Sequence, residues 1–274
     1  MDTKRELDRR KFIGTSAKTA AGIGLAVVAG PAINVLGANE TINVGLLGCG
    51  SRGRYLVQTL SKVGDPNVRM VAVADIFQGS FRERAAMEAK ERFENAPEEI
   101  KVYDHHTELF ADKDIDAVII ATPEHSHYRH IIAACEAGKD IYCEKPMLHD
   151  WREGEPVIKA VRKNKRVLQI GTQRRSIDLY QKAAELIKAG AIGKVTQVRA
   201  YWHRNFKEGS RGAAWRKPIP PDATEDVIDW VEFLGSAPYV PMMPAAYSTG
   251  AAIGNTPTVS EATLWFTKWT RPSW

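Results

Sequence analysis

The sequence has little of three features that would each indicate a specialised class of protein. Its 274 residues include only three cysteines, too few for a disulfide framework, and their odd number indicates reduced thiols. No apolar run reaches membrane-spanning length, so the sequence predicts no stable insertion into a bilayer. Hydrophobic residues make up 44% and charged residues 26%, which excludes a disordered or fibrous chain.

The excess of basic charge belongs to the two ends of the chain. The formal net charge is +5, yet residues 1–38 hold six Lys/Arg against three Asp/Glu, and residues 239–274 hold two against one. The segment between them holds 30 basic and 29 acidic residues. A nucleic-acid surface needs basic charge clustered on the folded domain. The sequence therefore predicts no nucleic-acid partner.

The N-terminal segment has the composition of an export signal. Arg9 and Arg10 precede an apolar stretch, residues 20–28, that is too short to span a bilayer. The paired arginines resemble a bacterial twin-arginine signal, which implies the export machinery as a partner and a periplasmic or exported location. A frayed amphipathic helix is the alternative. We therefore treat residues 1–38 as a signal segment outside the fold.

A glycine-rich turn follows the first apolar run, residues 41–47. The segment Gly48-Cys49-Gly50-Ser51-Arg52-Gly53 has the form G-x-G-x-x-G, and apolar residues recur behind it at helical spacing. In a strand–turn–helix unit the first glycine permits the tight turn, the second lets the backbone approach a pyrophosphate, and the third permits close helix packing. The helix N-terminus then favours the phosphate charge. All six residues are predicted to contact a dinucleotide.

An acidic residue at the end of the second predicted strand sharpens this prediction. Asp75 follows residues 68–74 and lies 22 positions beyond Gly53. A carboxylate there can bind both hydroxyls of an adenosine ribose and would repel a 2′-phosphate. The pattern therefore favours NAD over NADP. The alternative is that Asp75 merely caps the next helix.

Strands and helices alternate through the rest of the first domain, predicted over residues 39–170. Strands separated by helices indicate a parallel, doubly wound Rossmann-type α/β sheet. Ligands bind at the carboxyl ends of such strands, so the residues just after each strand are the informative ones. The predicted helices and strands after residue 75 are helices 81–93, 106–110, 125–137 and 151–162, and strands 100–103, 117–121, 140–143 and 167–170.

The strand ends resemble the Gfo/Idh/MocA family of oxidoreductases, which includes glucose–fructose oxidoreductase and inositol dehydrogenase. The resemblance covers about residues 41–238 and is carried by A-T-P-E-H-S-H at 121–127, C-E-K-P at 143–146 and G-T-Q-R-R at 171–175. It implies NAD-dependent hydride transfer on a sugar or polyol. Residues 171–238 would then begin a second, incomplete α+β domain. Its open sheet would cover the cleft and could support a homo-oligomer.

The same resemblance implies roles for individual side chains. Thr122 and Pro123 would line the nicotinamide side of the cleft, with His127 starting the helix beside it. Glu144 and Lys145 would lie against the nicotinamide ribose and the substrate hydroxyl. Lys145 would be the catalytic partner of that hydroxyl, because a lysine in a dry site can exchange protons near neutral pH. The alternative is an ordinary exposed lysine on the surface. Gln173 completes the implied cofactor contacts.

Two groups of residues have alternative interpretations. His125, His127 and His130 have the look of a metal cluster, but no convincing second set of carboxylate ligands accompanies them, so no metal is predicted. Cys49 and Cys143 are expected to be small buried packing residues. Cys49 in the glycine turn could nevertheless be alkylated when no cofactor covers it.

The last 36 residues, 239–274, depart from the preceding pattern. They contain one acid, two bases and three of the seven tryptophans. Regrouping bases across adjacent codons allows residue 247 onward to read F-N-W-R-R-Y-W-E-Y-S-D-G, which resembles the family at this point. We therefore expect an out-of-frame tail, with a natural short tail as the alternative. Family members carry an Asp and a His in the region that this tail would replace.

The sequence thus predicts an exported, NAD-dependent oxidoreductase acting on a sugar or polyol, incomplete in this chain. NAD-dependent glycoside cleavage through transient oxidation is a second hypothesis. A non-catalytic dinucleotide-binding remnant is the third. Net NADH accumulation separates the first hypothesis from the second, and cofactor binding without turnover would identify the third.

Overall fold

The structure is a computed structural model, and it describes residues 41–201 and 221–242. All of these residues belong to one compact unit that begins at Thr41. The predicted signal segment and residues 243–274 of the predicted out-of-frame tail lie outside the described residues. Within the described ranges, no helix is both long and apolar enough to cross a membrane.

Six parallel strands form a single sheet in the order β3-β2-β1-β4-β5-β6. The order reverses between β1 and β4, which creates the crevice where open α/β sheets bind ligands. This arrangement confirms the predicted Rossmann-type fold. The strands are β1 Ile42–Leu47, β2 Val68–Ala74, β3 Lys101–Tyr103, β4 Ala117–Ile120, β5 Asp140–Glu144 and β6 Leu168–Gly171.

Helices cover both faces of the sheet, as the alternating pattern predicted. The helices are α1 Ser51–Val63, α2 Ser80–Arg92, α3 His106–Ala111, α4 His127–Glu136, α5 Gly154–Asn164, α6 Asp178–Lys188 and α7 Trp230–Leu234. Short 3-10 turns cover Glu124–Ser126, Trp151–Glu153 and Gln173–Ser176. The turn at Glu124–Ser126 explains why α4 begins two residues later than predicted.

The core consists of two apolar clusters, one on each face of the sheet. On one face, α1 and α2 contribute buried residues such as Val57 and Ala89, which pack with Leu46 of β1. On the other, α3, α4 and α5 pack on the sheet through residues such as Leu109 and Ile131. Burying both faces explains why the strands read as near-continuous apolar runs instead of alternating ones.

Residues 221–242 pack against the loop that follows β2. Phe77 and Ile228 form an isolated antiparallel bridge, and the Gln78 N–H donates to the Val227 carbonyl at 2.7 Å. Helix α7 is only five residues long, and its Trp230 and Phe233 rings stack with centroids 4.9 Å apart. Within the described ranges no strand follows β6, so the sheet of the expected second domain is not among the described residues.

Candidate functional site

The predicted site residues meet at one edge of the sheet. Because all six strands are parallel, their carboxyl ends lie together, and the segments after β1, β2, β4, β5 and β6 share that edge. These segments hold residues 48–53, Asp75, Thr122, Pro123, His127, Glu144, Lys145 and Gln173. The sheet therefore gathers the whole predicted constellation on one side of the domain.

The glycine turn is closed toward the sheet and open on its other side. Gly48 has a φ of +97°, and a Cβ there would lie 2.8 Å from the Ala121 carbonyl carbon. A Cβ on Gly53 would collide with the Gly48 carbonyl oxygen. At Gly50, by contrast, a Cβ would meet no atom of the described residues within 4 Å. The turn thus has the shape of a cradle that a pyrophosphate can approach closely.

Helix α1 starts directly from this cradle. Its N-cap is Gly50, which has no side chain to cap the first amide groups, and its first turn contains no acidic residue. The positive end of the helix dipole therefore faces the open side of the turn, which favours phosphate.

Asp75 lies beneath the glycine turn and is only 9% exposed. One carboxylate oxygen accepts a hydrogen bond from the Cys49 N–H at 2.6 Å, and the other accepts from the Phe77 N–H at 2.9 Å. Burial raises the pKa of this carboxyl, while the two backbone donors oppose that shift. Helix α2 begins at Ser80 with Gly79 as its N-cap, so Asp75 does not cap it. Its position fits the ribose contact, because each oxygen keeps acceptor capacity.

The Cys49 side chain does not reach the open side of the turn. Its thiol is fully buried, donates to the Ala74 carbonyl at 3.5 Å, and has a pKa raised by burial and by Asp75. The expectation that Cys49 is open to alkylation without cofactor is therefore wrong, because the protein itself covers the thiol. Cys143 is likewise buried, and burial raises its pKa to about 12. Both are packing residues, as predicted, and Cys49 offers only its backbone to a cofactor.

Arg52 connects the glycine turn to the end of β5. Its Nε lies 2.8 Å from Oε1 of Glu144, and the guanidinium also lies 5.2 Å from the Tyr55 ring centroid. With its amide oxygen facing Arg52, Gln173 accepts from Nη2 at 3.1 Å and donates to the Gly171 carbonyl. Three predicted cofactor-binding side chains are therefore joined in one network.

Glu144 and Lys145 have different environments, although they are adjacent in sequence. Glu144 is 4% exposed and accepts from the Lys145 N–H at 3.2 Å as well as from Arg52. Lys145 is exposed. The dry surroundings expected for its ammonium are thus not formed by the described residues.

His127 holds two loops together and is not directed toward the cofactor cleft. Its side chain is buried, with Nδ1 2.7 Å from the Pro146 carbonyl and Nε2 2.9 Å from the Thr122 carbonyl. The Thr122 hydroxyl lies 3.1 Å from Nδ1 of His130, and Pro123 is the N-cap of the following 3-10 turn. Of Thr122, Pro123 and His127, therefore, the backbone of Thr122 and the ring of Pro123 remain available to contact a nicotinamide.

A cluster of polar side chains, of which only His130 stood out in the sequence, joins helix α7 to the rest of the domain. His106, His130 and Glu232 place one potential metal-ligand atom each within 4.8 Å of one another. Arg129, however, has Nη1 2.9 Å from Oε1 of Glu232, and His106 Nδ1 lies 3.2 Å from the same oxygen. A guanidinium on the only carboxylate opposes a metal ion, so we interpret the cluster as an ion-pair network that docks α7.

Part of the chain matches a known protein family. Residues 42–172 match the model of the Gfo/Idh/MocA proteins, described as an oxidoreductase family with an NAD-binding Rossmann fold. Residues 42–172, just under half of the chain, are therefore similar to the Rossmann domain of this family. The glycine cradle and Asp75 fit the cofactor of this family, which is NAD.

Among curated relatives, the chain is 34% identical over 168 residues to inositol 2-dehydrogenase 1 of Saccharopolyspora erythraea, covering 61% of this chain and 47% of the relative. It is also 34% identical to inositol 2-dehydrogenase of Salmonella typhimurium, over 58% of this chain and 45% of the relative. The chain thus spans about half the length of these relatives.

The solved structure of scyllo-inositol dehydrogenase from Lactobacillus casei is 26% identical, with a TM-score of 0.49, covering 58% of this chain and 44% of that one.

Proposed function

We propose that this chain is part of an NAD-dependent oxidoreductase that transfers a hydride between a hydroxyl-bearing carbon of a sugar or polyol and the cofactor. The observation that carries the proposal is the shared edge of the sheet, where the glycine cradle, Asp75 and the loop of residues 144–146 lie together. The curated relatives named inositol 2-dehydrogenase support a cyclic polyol as the first substrate to test.

The chain's own residues bind and orient. The backbone of the glycine turn and the start of α1 hold the pyrophosphate, and Asp75 accepts hydrogen bonds from the adenosine ribose. Glu144, fixed by Arg52, borders the nicotinamide ribose. When bound, NAD supplies the hydride acceptor.

Lys145 is the proposed proton acceptor for the substrate hydroxyl. It follows directly on the buried Glu144, and its ammonium is free to reach into the cleft because the side chain is exposed. Covering of the cleft by the expected second domain would remove water from this lysine and favour its neutral amine, the form that can accept the proton of the substrate hydroxyl. Substitution by methionine keeps the length of the side chain and removes the proton-transfer group.

The experiment is an NADH-formation assay at 340 nm with myo-inositol, scyllo-inositol and glucose, using this chain and a full-length version if this chain proves incomplete. Net NADH formation that Lys145→Met abolishes, with NAD binding retained, supports the proposal. Sugar release from a glycoside without net NADH would favour glycoside cleavage instead. NAD binding without turnover in the full-length protein would identify a binding remnant.

We also propose export through the twin-arginine route, supported by Arg9 and Arg10 ahead of a short apolar stretch. Changing both arginines to lysine keeps the charge, so only recognition of the arginine pair is lost. The variant should remain in the cytoplasm on cell fractionation, and an unchanged periplasmic yield would contradict export by this route. Association through the second-domain sheet is a further part of the proposal, which sedimentation of the full-length protein would test.

A further inference from the structure

The ring of His127 contacts two groups that can only accept hydrogen bonds. His127 is the first residue of α4 and is 1% exposed. Nδ1 lies 2.7 Å from the carbonyl oxygen of Pro146, and Nε2 lies 2.9 Å from the carbonyl oxygen of Thr122. A carbonyl oxygen has no proton to give, so each of these contacts needs an N–H on the ring. A neutral imidazole has one N–H, whereas the imidazolium has two.

We propose that His127 carries a proton on both ring nitrogens and, as a buried imidazolium, ties the loop after β4 to the loop of residues 144–146 after β5. A neutral ring would leave a nitrogen lone pair facing a carbonyl oxygen at hydrogen-bond distance. The two carbonyls belong to loops that flank the proposed nicotinamide position. His127 is therefore a positioning residue for Thr122 and Lys145, a consequence that rests on the proposed function.

Burial and the N-terminus of α4 both disfavour a positive charge at this position. The pairing of both ring nitrogens with carbonyl oxygens outweighs them. The ring donates both bonds at once, so neutralising it would break one of them and leave a carbonyl without a donor.

The neighbouring histidines show the contrast. His125 Nε2 contacts one carbonyl, that of Phe233, at 2.7 Å, and His130 Nδ1 contacts the Thr122 hydroxyl, which can donate or accept. Burial lowers the pKa of both His125 and His130. Both rings are therefore neutral near pH 7, which removes two positive charges that would otherwise compete with that of His127.

The remaining charges around His127 are paired or lie toward solvent. On α4, Arg129 forms an ion pair with Glu232. On the facing loop, Glu144 is paired with Arg52 and the Lys145 side chain is exposed. His149 and Glu124 lie near His125, where they contribute to its electrostatics with opposite signs. The described residues thus place no unpaired buried cation against this ring.

Nuclear magnetic resonance of the full chain labelled with 15N-histidine tests the charge state at neutral pH. His127 should show two protonated ring nitrogens with the shifts of a cation, while His125 and His130 each show one protonated and one unprotonated nitrogen. The variants His125→Gln, His127→Gln and His130→Gln assign the signals. An unprotonated nitrogen on His127 would overturn the proposal. This readout requires neither cofactor nor turnover, so it stands even if the proposed function fails.

A titration with NADH, followed by its fluorescence, tests the positioning role. The glutamine of His127→Gln can donate from one end only, so one loop is released, and we expect about tenfold weaker binding, the effect of losing one hydrogen bond to a charged group. His125→Gln is the matched control on the adjoining turn and should keep the wild-type affinity. Equal affinities of wild type and His127→Gln would refute the positioning role. If the wild type binds no NADH, the proposed function fails and the resonance experiment alone decides the charge state.

Discussion

Arg52 in the glycine turn and Glu144 at the end of β5 form an ion pair, with Nε 2.8 Å from Oε1, although 92 positions separate them in the sequence. Glu144 has a side-chain exposure of 6% and Arg52 one of 36%. The pair therefore combines a buried carboxylate with a half-exposed guanidinium. It fixes the wall of the cleft on which the proposed catalytic Lys145 lies.

Removing Arg52 should destabilise the domain more than removing both partners. Arg52→Gln leaves Glu144 as an unpaired buried charge, and we expect a loss of about 1–2 kcal/mol in the free energy of unfolding. This lies below the ~3–5 kcal/mol typical of fully buried pairs because solvent screens the exposed side of Arg52. Adding Glu144→Gln should recover part of the loss. Urea unfolding of the two single variants and the double variant measures this, and simple additivity would contradict the coupling.

Asp75 should set the preference for NAD over NADP. Its buried carboxylate accepts from the Cys49 and Phe77 N–H groups, which fixes a negative charge beside the turn. Asp75→Ser removes the repulsion of a 2′-phosphate and one ribose acceptor, so NAD should bind more weakly and NADP more tightly. Calorimetric titration of both cofactors measures the change. Asp65→Ser, which alters an acid before β2 at the opposite edge, is the control and should leave the ratio unchanged. Tighter NADP binding to the wild type would refute the assignment.

The sequence predicted the fold well because the signal was local. Buried strands appeared as short apolar runs and the glycine turn marked the start of α1, so β2 was placed over the observed Val68–Ala74. Helix α6 was missed although Leu179, Leu186 and Ile187 recur at helical spacing. Helix α7 could not be predicted from periodicity, because five residues are too few and tertiary contacts such as the Trp230–Phe233 stack hold it.

The site was predicted as a set of residues but not as a set of contacts. Residue types after parallel strands indicate which groups share the edge of the sheet, and this placed Arg52 and Glu144 together correctly. Orientation depends on partners distant in sequence. The ring of His127 faces inward because the Pro146 carbonyl, 19 positions away, accepts from it. No local pattern around residue 127 carries that information.

The free energy of unfolding should begin to fall at a pH well above the range in which ordinary carboxylates become protonated. Burial lowers the pKa of His125 and His130, while both return to about 6.5 when unfolded. Between the folded and unfolded pKa values the unfolded chain binds more protons, so the free energy of unfolding falls as pH drops below about 6.5. The slope is up to about 1.4 kcal/mol per pH unit for each histidine.

Urea unfolding at several pH values between about 4.5 and 7.5 measures this slope. The window lies above the range in which Glu88 and Asp112, whose pKa values are lowered, lose their contributions. His130→Gln should flatten the slope, and Lys159→Gln on the exposed face of α5 should not. A pH-independent free energy across the window would show that these rings protonate in the folded protein.

The three thiols should be unreactive until the domain unfolds. Cys49, Cys135 and Cys143 are all fully buried, and burial raises the pKa of each. Since the thiolate is the reactive form, both access and ionisation oppose reaction. An Ellman titration should therefore detect no fast-reacting thiol in native buffer and three in denaturant. Rapid labelling of Cys49 in native protein would show that the glycine turn opens without cofactor.

Alanine substitutions at two glycines of the same turn should have different effects, one on folding and the other on cofactor binding. A Cβ on Gly53 would collide with the Gly48 carbonyl oxygen, so Gly53→Ala must displace α1 from the turn. Overpacking costs about 1–3 kcal/mol even where side chains can move, so we expect this substitution to lower the free energy of unfolding by several kcal/mol. At Gly50 the same methyl group meets no described atom within 4 Å, so Gly50→Ala should fold normally.

The methyl group at Gly50 would instead point into the space through which the pyrophosphate approaches the backbone. Gly50→Ala should therefore unfold at the wild-type urea concentration yet bind NADH at least about tenfold more weakly, since a blocked close approach removes more than one hydrogen bond. Thermal or urea unfolding and NADH fluorescence, measured on both alanine variants, test the pair together. If Gly50→Ala kept full NADH affinity, the phosphates would have to bind elsewhere than in this cradle, and the assignment of the glycine turn as the pyrophosphate site would be wrong.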